Sequence, residues 1–96
     1  MDLTFEWDPR KAAANRRKHG VSFEQAIPVF GDPLARIFDD PDHSFSEPRE
    51  LIVGHSTRRL LLVVCFVQRG DRIRIVSARA ATRQERHDYE EGTSQT

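Results

Sequence analysis

The residues best suited to chemistry lie in Arg72-Ile73-Arg74-Ile75-Val76-Ser77-Ala78-Arg79. Side chains alternate along a strand, so Arg72 and Arg74 should share one face with Val76 and Ala78. Ile73 and Ile75 should share the other with Ser77 and Arg79. An arginine in line with core-facing isoleucines would emerge at the edge of the core, partly out of water. There its planar fork grips a phosphate more strongly than in open solvent. Arg83 follows at the start of a helix, where free amide groups also favour anions. The alternative is that Arg79 pairs with an acid of the Asp40–Glu50 segment and only fixes the fold.

Two further groups could move protons. Lys18-His19-Gly20 ends a basic helix, and its imidazole could serve a phosphodiester held nearby. Against that, a cation before a glycine cap is favoured at any helix end. In His43-Ser44-Phe45-Ser46-Glu47-Pro48-Arg49, Glu47 or His43 could act as general base, with Arg49 steadying a transition-state charge. Asp39, Asp40, Asp42, His43 and His55 offer metal-type donors, but no recognised ligand spacing supports a metal centre. Cys65, the single cysteine, sits inside an apolar run and reads as a buried small side chain. No metal and no cofactor are expected.

Composition narrows the class. The chain has 96 residues, 15 basic and 15 acidic, with four histidines and no formal net charge. That length suits one domain, 1–96, with a frayed end at 92–96. The longest apolar run, Leu60–Val67, is far short of the roughly 20 residues of a membrane span. No secretory leader is legible at the start, so a cytoplasmic protein without membrane contact is expected. The charge is segregated: Arg10–His19 and Arg69–Arg86 are basic, and the segments around them are acidic. Thirteen arginines against two lysines favour fork-type phosphate contacts, although coding bias gives the same count.

The elements that must position these residues follow from periodicity and caps. Leu3, Phe5 and Trp7 alternate as a short strand. Asp8-Pro9 opens a helix that Gly20 stops. Ser22 with Gln25 forms a capping box, and Phe23, Ala26, Ile27 and Phe30 make one buried stripe. Pro28 should bend or shorten that helix. Strands are expected at 35–39, 51–56, 60–67 and 72–79, with a loop over 40–50. Thr82 with Glu85 caps a last helix reaching about Glu91, stopped at Gly92 and anchored by Tyr89. The order is β-α-α-β-β-β-β-α, a small α+β domain with an antiparallel sheet and helices mainly on one face.

Taken in order, these residues resemble the BrnT family of bacterial toxins. Phe5-Glu6-Trp7-Asp8-Pro9, Lys11, Asn15 and Lys18-His19-Gly20-Val21-Ser22-Phe23 are similar to its opening. His43-Ser44, Glu47, Arg49 and Gly54-His55-Ser56 are similar to its middle, and Ile73–Arg79, Ala81-Thr82, Glu85-Arg86 and Tyr89 to its end. The resemblance covers about residues 3–91. It implies a RelE-like fold and a toxin of a type II toxin–antitoxin pair, a metal-independent endoribonuclease that slows translation. It further implies neutralisation by a BrnA-type ribbon-helix-helix antitoxin, through which alone the pair would touch DNA. On that basis Arg74, Arg79, Glu47 and His19 are the expected catalytic residues, and Lys18, Arg83, Arg49 and Arg72 the expected RNA contacts. A non-catalytic module that only holds the antitoxin is the rival reading, and a metal-dependent hydrolase a third.

Overall fold

A computed structural model describes residues 2–41, 48–57 and 59–94. Its elements are β1 (Thr4–Glu6), α1 (Pro9–His19), α2 (Phe23–Ala26), β2 (Arg36–Asp39), β3 (Glu50–His55), β4 (Leu61–Arg69), β5 (Arg72–Ala80) and α3 (Arg83–Ser94). Local chemistry explains their ends. The Asp8 carboxylate accepts from the Arg10 amide at 2.8 Å and Pro9 takes the first helical position. Gly20, at φ 70°, closes α1 in the left-handed region that glycine tolerates. Both halves of the Ser22–Gln25 box form. Pro28 has no amide hydrogen to donate, and α2 gives way at Ile27 to a 3-10 turn, Ile27–Gly31.

The strands form one sheet in the order β1-β5-β4-β3-β2. Three of its four junctions are antiparallel, but β1 lies parallel to β5, with Glu6 opposite Arg74. The sheet is therefore mixed, not antiparallel as expected. Nothing local dictates the sense of β1, because α1, not a hairpin, follows it. Beyond the end of β1 the edge of β5 is closed by a side chain. The buried Asn15 amide accepts from the Ala78 amide at 3.1 Å and donates to the Ala78 carbonyl at 2.8 Å and the Val21 carbonyl at 3.0 Å.

A bulge corrects the expected facing of β5. Cys65 lies opposite Ser77 while Phe66 lies opposite Ile75, so Val76 is the extra residue. Past it the alternation reverses. Ile73, Ile75 and Ala78 join one core, and Arg79 moves to the face that carries Arg72 and Arg74.

Each face has its own core. Phe23, Ala26 and Val29 pack with Ile52, Leu62, Val64, Phe66 and Ile73 on one side. The Phe30 ring bridges Phe5 and Phe66 there, at centroid distances of 5.2 and 5.0 Å. On the other side Tyr89 of α3 packs on Val53, Leu61 and Val63. The helices thus cover both faces rather than mainly one. The last helix also continues past Gly92 to Ser94. The Arg36 guanidinium lies over Gly92, so a Cβ there would push that exposed side chain aside.

Candidate functional site

The face beneath α3 carries the arginines, in two different states. At one end of β5, Arg74 is exposed and reaches Glu6 of β1 at 3.0 Å, with Arg72 Nε 3.6 Å from the other Glu6 oxygen. These are solvent-facing pairs, which an incoming anion can displace at little cost. Towards the other end, Arg79 forms a bidentate fork with Glu85, at 2.7 and 2.8 Å. Glu85 also accepts from the Thr82 amide, closing the capping box of α3. The fork and the cap together, against some cost of burial, draw the Glu85 carboxyl down to about 2. The same fork raises the Arg79 pKa against a cost of burial. Among the described residues Arg79 therefore pairs with the helix that follows it, and its fork is already filled.

The other expected residues do not converge on one point. Glu47 and His43 lie outside the described residues. Arg49 is half-buried, and its Nε is shut from water with no hydrogen-bond partner among the described residues. It lies near Cys65, whose thiol points at the Asp40 carboxylate at 3.4 Å. Burial first, and Asp40 second, push that thiol up to about 11, so it is inert as a nucleophile. Lys18 and His19 are exposed at the far end of α1. Eleven helical residues span about 16 Å, and α1 begins just past Glu6, the partner of Arg74. His19 and Arg74 thus belong to opposite ends of the sheet and cannot serve the same phosphate. Arg83, also exposed, opens α3 at the same end as Arg79.

One constellation was not singled out by the sequence. Asp32, just after the 3-10 turn, accepts from the His55 amide at 2.8 Å, the Leu34 amide at 2.9 Å and the Tyr89 hydroxyl at 2.9 Å. The Tyr89 oxygen also lies 3.2 Å from His55 Nδ1, with the two rings edge to face. Burial works against the Asp32 charge, but the His55 and Leu34 amides and the Tyr89 hydroxyl outweigh it and hold its pKa below the ordinary value. Burial, then the facing Asp32, push the Tyr89 phenol up to about 12. Gly54 admits this arrangement, since a Cβ there would stand 3.2 Å from Asp32 Oδ2 and 3.0 Å from the Ala35 Cβ. Residues 23 and 57 positions apart meet here, which no spacing rule reveals.

Among the described residues no three His, Cys, Asp or Glu side chains gather closely enough to hold a metal ion, and Asp42 and His43 lie outside them. Nor is any helix among them long and apolar enough to cross a membrane.

Comparison with known proteins agrees with this architecture. The family model described as the ribonuclease toxin BrnT of a type II toxin–antitoxin system matches residues 7–85. The crystal structure of the Brucella abortus ribonuclease toxin BrnT superposes with a TM-score of 0.67 at 23% identity. The match covers 84% of this chain and 99% of that one. At that identity it speaks for the fold. No curated protein matches the sequence. With the family model spanning most of the chain, this protein belongs to the BrnT family of ribonuclease toxins of type II toxin–antitoxin systems.

Proposed function

We propose that this chain is a metal-independent endoribonuclease of RelE-like descent that binds RNA along the sheet face carrying Arg72, Arg74 and Arg79. The supporting observation is the bulge at Val76, which brings all three guanidinium groups to one face. His55 lies on that face at the Arg79 end and Glu6 at the Arg74 end, so each end has a cation on the same face as a group able to move a proton, as cleavage through a 2′-hydroxyl requires. Arg72 and Arg74 are the phosphate contacts, because Glu6 is an exposed partner that a phosphate can replace. Arg79 acts chiefly by holding α3. Lys18, His19 and Arg83 lie at the opposite end and would meet neighbouring phosphates. Arg49, beside Cys65, and Glu47, outside the described residues, remain proposed contacts.

The wider consequences follow from that activity. RNA cleavage in the cytoplasm would slow translation. A toxin of this class is paired with an antitoxin protein, which we take to be a BrnA-type ribbon-helix-helix partner that also makes any DNA contact. Leu34, Ile37 and Phe38, 51%, 56% and 43% exposed near or on the edge strand β2, suit a protein contact of that kind.

The test is incubation of a defined RNA with the purified, partner-free chain in EDTA, with the product ends mapped. Cleavage leaving 2′,3′-cyclic phosphate and 5′-hydroxyl ends is expected. No cleavage by folded protein, or cleavage only after a divalent metal is restored, would overturn the reading.

A further inference from the structure

We infer that His55 is the group that takes the proton from the attacking 2′-hydroxyl, oriented through Tyr89 by Asp32. The inference rests on the ribonuclease reading and adds to it the identity of the base. Hydrogen counting fixes the imidazole tautomer. The single Tyr89 hydroxyl hydrogen goes to Asp32 Oδ2 at 2.9 Å, so the contact of 3.2 Å with His55 must be donated by Nδ1–H. Nε2 is then the basic lone pair, and no described residue bonds it. A chain from a buried carboxylate through a phenol to an imidazole suits proton abstraction. The Asp32 side chain is 10% exposed and that of His55 38%, so the charged end is sheltered and the reactive end meets solvent.

The helix above supplies charge in the right place. Glu85, Asp88 and Tyr89 line a cleft of about 90 Å³ with Leu51 and Val53. At about 100° per residue, Arg86 is set about 60° and Arg83 about 120° round from Tyr89 on the other flank. His55 sits at the end of β3, opposite Leu61. Glu90 lies on the same flank, and Arg59 is in the adjoining turn between β3 and β4. RNA approaching on that flank would meet Arg83 and Arg86 through its neighbouring phosphates.

The step balances without a cofactor. Nε2 takes the 2′-hydroxyl proton, the 2′-oxygen bonds to phosphorus, and the phosphorus–5′-oxygen bond breaks. The departing oxygen takes a proton from water, and the imidazolium returns its own to solvent. The products are a 2′,3′-cyclic phosphate and a 5′-hydroxyl.

The alternative is that the three residues only clamp α3 to the sheet, and the two roles separate in one experiment. Single-turnover cleavage of a defined RNA in EDTA is followed from about pH 5 to 9, a range that spans histidine titration. The native chain, His55→Ala and Tyr89→Phe are compared, each with and without added imidazole, and each is first shown to be folded. His55→Ala should lose about 10²- to 10⁴-fold in rate, and imidazole should restore part of it. Tyr89→Phe should lose about tenfold and alter the pH profile. A native chain that does not cleave would overturn the ribonuclease reading and this inference with it. If the native chain cleaves, a folded His55→Ala at the native rate would overturn the role of His55 alone. So would a loss that imidazole leaves unrepaired while Tyr89→Phe keeps the native pH profile.

Discussion

The two ends of the α3-covered face use the same chemistry to opposite effect. At one end Glu6 meets Arg72 and Arg74 with side chains 34%, 68% and 44% exposed. At the other, Arg79 and Glu85 are part-buried and Asp32 nearly enclosed, and each carboxylate accepts several hydrogen bonds at once. An exposed ion pair adds little to stability, so its arginines stay available to another anion. A carboxylate that caps a helix or satisfies two backbone amides and a hydroxyl cannot be exchanged so easily. Being an arginine on the strand does not decide the role; what else the partner carboxylate holds does.

The sharpest way to break this contrast is Asp32→Ala. It strands the Tyr89 hydroxyl and the His55 amide, and should cost about 3–4 kcal/mol, read by urea denaturation. A loss below about 1 kcal/mol would show that Asp32 does little to hold α3.

Arg79→Ala comes next, at about 1–2 kcal/mol after allowing for solvent screening of the half-exposed pair. Its pH dependence sharpens the point. Glu85 falls from 4.5 in the unfolded chain to about 2 when folded. Its contribution is therefore complete above 4.5 and disappears as pH falls towards 2. The native chain should lose stability across that window, and Arg79→Ala should lose much less. Equal acid profiles would contradict the account.

Tyr89 has the opposite sign. Its folded pKa of about 12 lies above the ordinary 10, so its contribution holds below 10 and fades as pH rises towards 12. Tyr89→Phe should flatten that alkaline loss in a thermal melt series.

Much of this was legible in the sequence, for reasons that differ by residue. Asp8-Pro9, Ser22 with Gln25 and Thr82 with Glu85 act within four residues, so their caps follow from local rules. Tyr89 as the anchor of α3 was readable because its helix has almost nothing else apolar. The facing of Arg79 was not, because one extra residue at Val76 reverses every side chain after it. Nor was the Asp32–Tyr89–His55 chain, which three distant segments assemble only after the sheet has formed. The parallel sense of β1 belongs to the same class.

The smallest effect on stability belongs to Arg74→Ala, and it bears most directly on the central claim that this face binds RNA at its exposed end. Its unfolding free energy should stay within about 0.5 kcal/mol of the native value. The measurement is the salt dependence of cleavage of a defined RNA in EDTA, run side by side for the native chain and Arg74→Ala. The account predicts a several-fold higher KM for the variant, a nearly unchanged kcat, and a log–log salt slope shallower by about 0.7 for one lost single-strand phosphate contact. A folded Arg74→Ala with native KM and salt slope would contradict it.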